Sequence, residues 1–243
     1  MDRAQRQDLI TRVGTTIAID GPAGSGKSTV SRLLAKELGI GYLDTGAMYR
    51  ALTWYALDRG IDLRDHEAVA AIADEMPLRM FSDPEDPHYW VGDTEITAAI
   101  REPRVSENVM HVSTNLAVRR WMAIEQRRRM LEARNSGSGM VAEGRDITTV
   151  VCPDADVRVL LLANPQARLE RRTRELYGQV TPELLEATRK QIDERDAADS
   201  TVSEFMTAAE GVREVDSSGL DIPGVLAAVV ALVEDDLQQR AGG

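Results

Sequence analysis

Cysteine is nearly absent: Cys152 stands alone among 243 residues. No internal disulfide can form, which fits a reducing compartment. Cys152 sits in the apolar run Thr149–Cys152, where packing is favoured over reactivity. Histidine is scarce as well, and His66, His88 and His111 show no paired spacing. They carry no metal-ligand signature. Positive charge is in deficit, with 29 Lys and Arg against 40 Asp and Glu. A chain with net charge −11 lacks the cationic excess needed to neutralise a nucleic-acid backbone, so any phosphate recognition must be local. No run approaches the ~18 apolar residues of a membrane span, and residues 1–14 lack the apolar segment of a signal peptide. The chain is therefore expected to be cytoplasmic and to bind neither nucleic acid nor membrane; a monomer is the expectation, though nothing in composition fixes it. Met1–Gly14 reads as a flexible leader.

Lysine is rare too, at positions 27, 36 and 190 only, so most cationic work falls to arginine, whose planar fork grips phosphate in bidentate fashion. Lys27 is conspicuous for that reason. It lies in Gly21-Pro22-Ala23-Gly24-Ser25-Gly26-Lys27-Ser28, which matches the phosphate-binding loop G-x-x-x-x-G-K-[ST]. The loop follows the apolar strand Thr15–Asp20 and precedes a helical stretch, Ser28–Leu38, stopped by Gly39. Glycines let successive N–H groups converge on phosphate oxygens, and the helix aims its positive end at the same point. Lys27 would reach the β- and γ-phosphates of ATP, Ser28 would hold Mg²⁺, and Thr29 continues the loop into the helix.

Along the rest of the chain, strands and helices alternate. Ile40–Leu43 reads as a strand ending in Asp44-Thr45-Gly46, which either caps the helix Ala47–Arg59 or lines a ligand site at the strand's carboxyl end. Ile61–Met76 is helix-like and acidic. Leu78–Phe81, Tyr89–Gly92 and Glu95–Ile96 are short strands between turn-forming residues, which points to a small antiparallel sheet inserted in an α/β core. Ile100–Asn135 is helical in two parts, with arginines at 119, 120, 127, 128 and 129 that form either a solvated face or, at Arg119, part of a cleft. Met140–Glu143 is a strand running into Gly144-Arg145-Asp146. Val157–Ala163, the most apolar stretch, reads as a central strand covered on both faces. Two helices follow, Gln166–Leu176 with Arg168, Arg171, Arg172 and Arg174, and Pro182–Ala198. A last strand, Val212–Val215, and a closing helix, Ile222–Gln239, complete the chain.

On a parallel sheet the phosphate loop, Asp44-Thr45-Gly46 and Glu143-Gly144-Arg145-Asp146 share one edge. Phosphoryl transfer needs alignment, Mg²⁺ and positive charge on the moving group. Glu143 and Asp44 are the acids placed to organise Mg²⁺. Arg168, Arg171 and Arg172 precede a polar segment that could close as a lid over ATP; their alternative role is in surface ion pairs. A guanine-reading Asn-Lys-x-Asp is missing, which lowers a GTPase reading.

Ile19–Ser28, Leu43–Arg50 (Leu-Asp-Thr-Gly-Ala-Met-Tyr-Arg), Glu143–Ile147 (Glu-Gly-Arg-Asp-Ile) and the run 149–155 together resemble the bacterial cytidylate kinases, over nearly the whole chain after residue 15. The resemblance implies an α/β fold of the P-loop NTPase type, a parallel sheet flanked by helices, with an inserted monophosphate-binding subdomain and a helical lid. The core would comprise 15–60, 140–170 and 205–243, the insert about 61–135 and the lid about 171–204. It implies transfer of the ATP γ-phosphoryl to CMP or dCMP with Mg²⁺ held at Ser28 and Glu143. Catalysis would fall to Lys27, Arg145, Asp146 and Arg171. Thr45, Arg50, Arg119, Arg145, Asp146 and Asp199 would contact the acceptor nucleotide. Two positions depart from the family pattern: Val202 stands where an arginine is usual, and Thr148 where glycine is usual. Arg195 and Arg213 are the possible substitutes for the missing guanidinium. The other readings are a P-loop kinase for a different acceptor and a nucleotide-binding regulatory protein without turnover.

Overall fold

The computed structural model describes residues 1–242. A five-stranded sheet forms the middle layer, in the order β2-β6-β1-β7-β8. Its strands are β1 (Thr16–Asp20), β2 (Gly41–Asp44), β6 (Met140–Gly144), β7 (Val157–Leu162) and β8 (Arg213–Asp216), and all four pairings are parallel. Three short antiparallel strands, β3 (Leu78–Met80), β4 (Tyr89–Val91) and β5 (Thr94–Glu95), make a separate small sheet. This is the expected α/β architecture with its inserted sheet.

The central strand is β1, buried along its whole length. Val157–Leu162, expected from its apolarity to be covered on both faces, is an interior strand between β1 and β8. Alternation along β1 sends Ile17 and Ile19 to one apolar layer and Ala18 to the other. The first layer is closed by α2 (Lys27–Leu38) and by α10 (Ile222–Gly242), whose Val225, Val229, Val233 and Leu237 recur every fourth residue. The second is closed by α3 (Thr45–Asp58) and α7 (Leu116–Asn135), through Met48, Leu52, Met122 and Met130. Small Ala18 and Ala142 on that side leave room for those larger side chains.

The supposed flexible leader is α1, a helix over Arg3–Val13. Asp2 and Gln5 form a reciprocal capping box and Gly14 ends it at φ 66°. Ile10 is wholly buried with α2 and α10. Its polar composition misleads because one of the buried side chains is Arg6, which pairs with Glu37 of α2 and Glu234 of α10.

Two further helical stretches differ from expectation. Ile61–Met76 yields only α4 (His66–Ala73), started by the Asp65 cap. Ile100–Asn135 breaks into a 3₁₀ turn, α5 (Pro103–Ser106), α6 (Val109–Ser113) and α7. Asn115 begins α7 by accepting from two backbone N–H groups. The pair α8 (Pro165–Tyr177) and α9 (Pro182–Ser200) each start with proline after a side-chain cap. Ala23 of the phosphate loop packs with Leu169 of α8 and Ile192 of α9 in a small cluster of its own. The fold thus seats these two helices directly on the loop.

Candidate active site

The carboxyl ends of β1, β2 and β6 come together because of their register: Asp20 lies beside Gly144, and Asp44 beside Glu143. After β1 the chain turns through the loop 21–26 into α2. Gly24 and Gly26 hold φ of 75° and 91°, which disfavours L side chains, and a Cβ at Gly24 would meet the Arg168 carbonyl at 2.4 Å. No side chain caps α2. Its first N–H groups are therefore available to an anion.

Lys27 opens α2, with Nζ 3.4 Å from the Pro22 carbonyl. Burial, and next the charge of Arg145, push its ammonium down to about 8. Ser28 Oγ donates to Glu143 Oε1 at 2.8 Å, and the Tyr42 hydroxyl donates to the same oxygen at 3.3 Å. Burial and the adjacent Asp44 raise the Glu143 carboxyl above its ordinary value. A carboxylate held at a cost beside a second carboxylate and a hydroxyl is an oxygen-rich donor set of the type Mg²⁺ uses. No group of three or more His, Cys, Asp or Glu able to hold a metal exists among the described residues. The set suits a cation that takes its remaining ligands from phosphate and water.

Asp44 fills the capping role its position allowed. It caps α3 by accepting from Ala47 N at 2.8 Å and pairs with Arg50 at 3.0 Å. Thr45 Oγ1 donates to the Glu143 carbonyl at 2.7 Å, tying α3 to β6. Arg119 leaves the solvated face and turns into the cleft, 2.5 Å from Asp146 and 2.9 Å from the Ser113 carbonyl. Burial still holds the Asp146 carboxyl above its ordinary value.

Arg145 is the junction. It donates to the Gly21 carbonyl at 3.0 Å, pairs with Asp199 at 3.0 Å, and lies 3.1 Å from Asp196. Asp196 in turn pairs with Arg168 at 2.8 Å and accepts from Ala23 N at 3.2 Å, so a carboxylate from α9 sits on a phosphate-loop amide. Several buried polar atoms have no partner: Ser25 Oγ and Arg50 Nε are among them. Unpartnered donors of this kind are costly unless a ligand takes them up.

Arg171 donates to the carbonyls of Ser25 and Ser217 and to Ser217 Oγ at 3.2, 2.6 and 2.8 Å, bracing the loop against the end of β8. Thr29 is exposed on the first turn of α2. Of the two candidate substitutes at Val202, Arg195 faces Asp199 at 3.8 Å, while Arg213 sits at the amino end of β8, away from the cleft. Thr148 has a task of its own: its N–H and hydroxyl both reach Asp20 at 2.7 Å, and Ile147 N reaches it at 2.9 Å. Burial pushes the Asp20 carboxyl up to about 6.

Sequence reasoning assigned no role to Asp20, Tyr42, Asp196 or Phe205. Asp20 precedes the phosphate loop directly, and Asp196 is three places before Asp199 on one helix face; those spacings were signals. Tyr42 and Phe205 had none, since their partners lie far away in the chain.

A model of the cytidylate kinase family matches residues 17–235. The cytidylate kinase of Streptomyces coelicolor is 42% identical over 234 residues, covering 96% of each chain. That of Streptomyces avermitilis is 42% identical over 220 residues, covering 90% of this chain and 92% of its own. A bifunctional pantoate ligase/cytidylate kinase of Nostoc is also 42% identical, over 92% of this chain and 42% of its own length. With a phosphate loop, a paired-acid strand edge and an arginine junction in one cleft, and with a family match that runs through nearly all of it, the chain belongs to the cytidylate kinase family.

Proposed function

We propose that the protein transfers the γ-phosphoryl group of ATP to CMP and dCMP, giving CDP and dCDP. The observation that carries this reading is the position of Arg145, whose guanidinium touches both the phosphate-loop carbonyl of Gly21 and Asp199 of α9. In-line transfer requires donor and acceptor phosphates to meet end to end, and one cation shared by both sites aligns them and screens their repulsion.

In this reading the loop amides and Lys27 hold the β- and γ-phosphates. Asp196 leaves the Ala23 amide as phosphate arrives, since a carboxylate and a phosphate compete for the same N–H. Phosphate also draws the Lys27 ammonium back up toward its ordinary value by supplying negative charge beside it. Ser28 and Glu143 would hold Mg²⁺, which when bound draws charge from the β- and γ-oxygens. Arg50, Arg119 and Arg145 receive the acceptor phosphate, and Asp146 and Asp199 orient the nucleoside. The lid segment excludes water that would otherwise hydrolyse ATP.

The test is ATP-dependent diphosphate formation over CMP, dCMP, UMP, AMP and GMP, with Lys27→Ala as control. Selective turnover of CMP and dCMP that is lost in the control is expected. ATP binding without product from any acceptor would overturn the reading in favour of a regulatory protein.

A further inference from the structure

Phe205 is 1% exposed, yet it belongs to none of the three apolar clusters of the molecule. Its neighbours in sequence, Glu204 and Met206, are exposed. A large ring sunk between two exposed residues and outside every core has its burial explained by something other than apolar packing. What it meets is Arg145: the guanidinium carbon lies 4.4 Å from the ring centroid.

Two other guanidiniums stack on rings among the described residues, Arg59 on Tyr55 and Arg79 on Trp90, and both of those arginines are exposed. Attraction between a cation and a ring is weak in water and grows when the pair is desolvated. The Arg145 side chain is 12% exposed, so its contact is of the stronger kind. The geometry around it is nearly complete. One edge of the guanidinium is fixed by the Gly21 carbonyl and Asp199, and one face by Phe205, while Nη2 lies 3.1 Å from Asp196.

We propose that Phe205 is a positioning residue for Arg145, holding the guanidinium plane between the phosphate loop and α9. This rests on the function proposed above. The segment leaving α9 is closed at Asp199 by the N–H groups of Val202 and Ser203, and then turns inward to deliver Phe205. The ring contact orients the cation without adding a further carboxylate to the two it already meets.

The experiment compares wild type with Phe205→Leu, Phe205→Tyr, Arg145→Ala and the double variant Phe205→Leu/Arg145→Ala. Phe205→Leu keeps apolar volume and removes the ring. Its kcat/KM for CMP is expected to fall about tenfold, with the KM for ATP within about twofold. Phe205→Tyr should recover most of the loss. In the Arg145→Ala background Phe205→Leu should change nothing further. A second readout needs no turnover: the Arg145 Nε–H resonance, assigned with Arg145→Lys, should carry the ring-current shift of a stacked group and lose it in Phe205→Leu. If kcat/KM is unchanged in Phe205→Leu, or if the loss persists in full without Arg145, the proposal is overturned. A wild type that turns over no CMP overturns the functional reading instead, and the resonance then decides the positioning claim, which fails if the shift is absent or survives the loss of the ring.

Discussion

Arg6 and Arg145 are both buried guanidiniums contacting two carboxylates, and they serve opposite ends. The partners of Arg6, Glu37 and Glu234, stand on α2 and α10, helices that pack on the same side of the sheet. Bonding to Arg6 draws the Glu234 carboxyl below its ordinary value, so ionisation there favours the fold. Around Arg145 the signs reverse: burial raises Asp20, Glu143 and Asp146 and lowers Lys27. Its carboxylate partners are on α9, which is seated on the loop through a cluster of only a few apolar residues. One junction fastens helices together. The other keeps charges in an unfavourable state that a ligand of opposite charge can relieve, the pattern expected where stability is given up for function.

The largest effect that would break this comparison is kinetic. Arg145→Ala should lower turnover about a thousandfold, as loss of a phosphate-stabilising arginine does elsewhere, while the midpoint of urea unfolding moves little. A large unfolding shift with intact turnover would make Arg145 a second Arg6.

The pH dependence of stability sharpens the contrast, because the two ends have opposite signs. Asp20 holds its proton to about 6 when folded, against an ordinary 3.8. Its contribution is fully present below the ordinary value and is lost as pH rises through 4 to 6, by up to about 3 kcal/mol. Glu234 is depressed, so its contribution is present above the ordinary carboxylate range and is lost as pH falls through it. Unfolding followed from pH 3 to 8 should show the upper loss flattened by Asp20→Asn and the lower loss reduced by Arg6→Ala; an unaltered profile in both would refute the assignment.

At fixed pH 7, Arg6→Ala should cost about 2 kcal/mol, less than a fully buried pair because Glu37 is 44% exposed. Its turnover at 25 °C should match wild type. The smallest effect is expected at Thr148→Val, which removes one of three donors to Asp20 and should cost about 1 kcal/mol in chemical denaturation.

Much of the cleft was legible before any coordinates. The phosphate loop is a local device, since its glycines, lysine and serine act through the turn they themselves make. Asp44 and Glu143 were legible as strand-end acids for the same reason. Thr148 stood out in the sequence only as a departure from the family pattern and is a tie in three dimensions, hidden because Asp20, its acceptor, is 128 positions away. Arg171 looked like a lid cation and braces the loop, its direction being set by Ser217.

By itself, the sequence determined the α/β class, the phosphate loop, the inserted small sheet and the sheet edge on which the polar motifs would meet. All of these follow from short-range periodicity and turn chemistry, which a chain carries locally. Only the tertiary structure decided the strand order, the helix at the amino terminus, the pairing of Arg145 with α9 and the ring beneath it. Each of those depends on which distant surfaces pack together, and burial reverses the ordinary meaning of a residue there: Arg6 becomes a core residue and Phe205 a support for a charge.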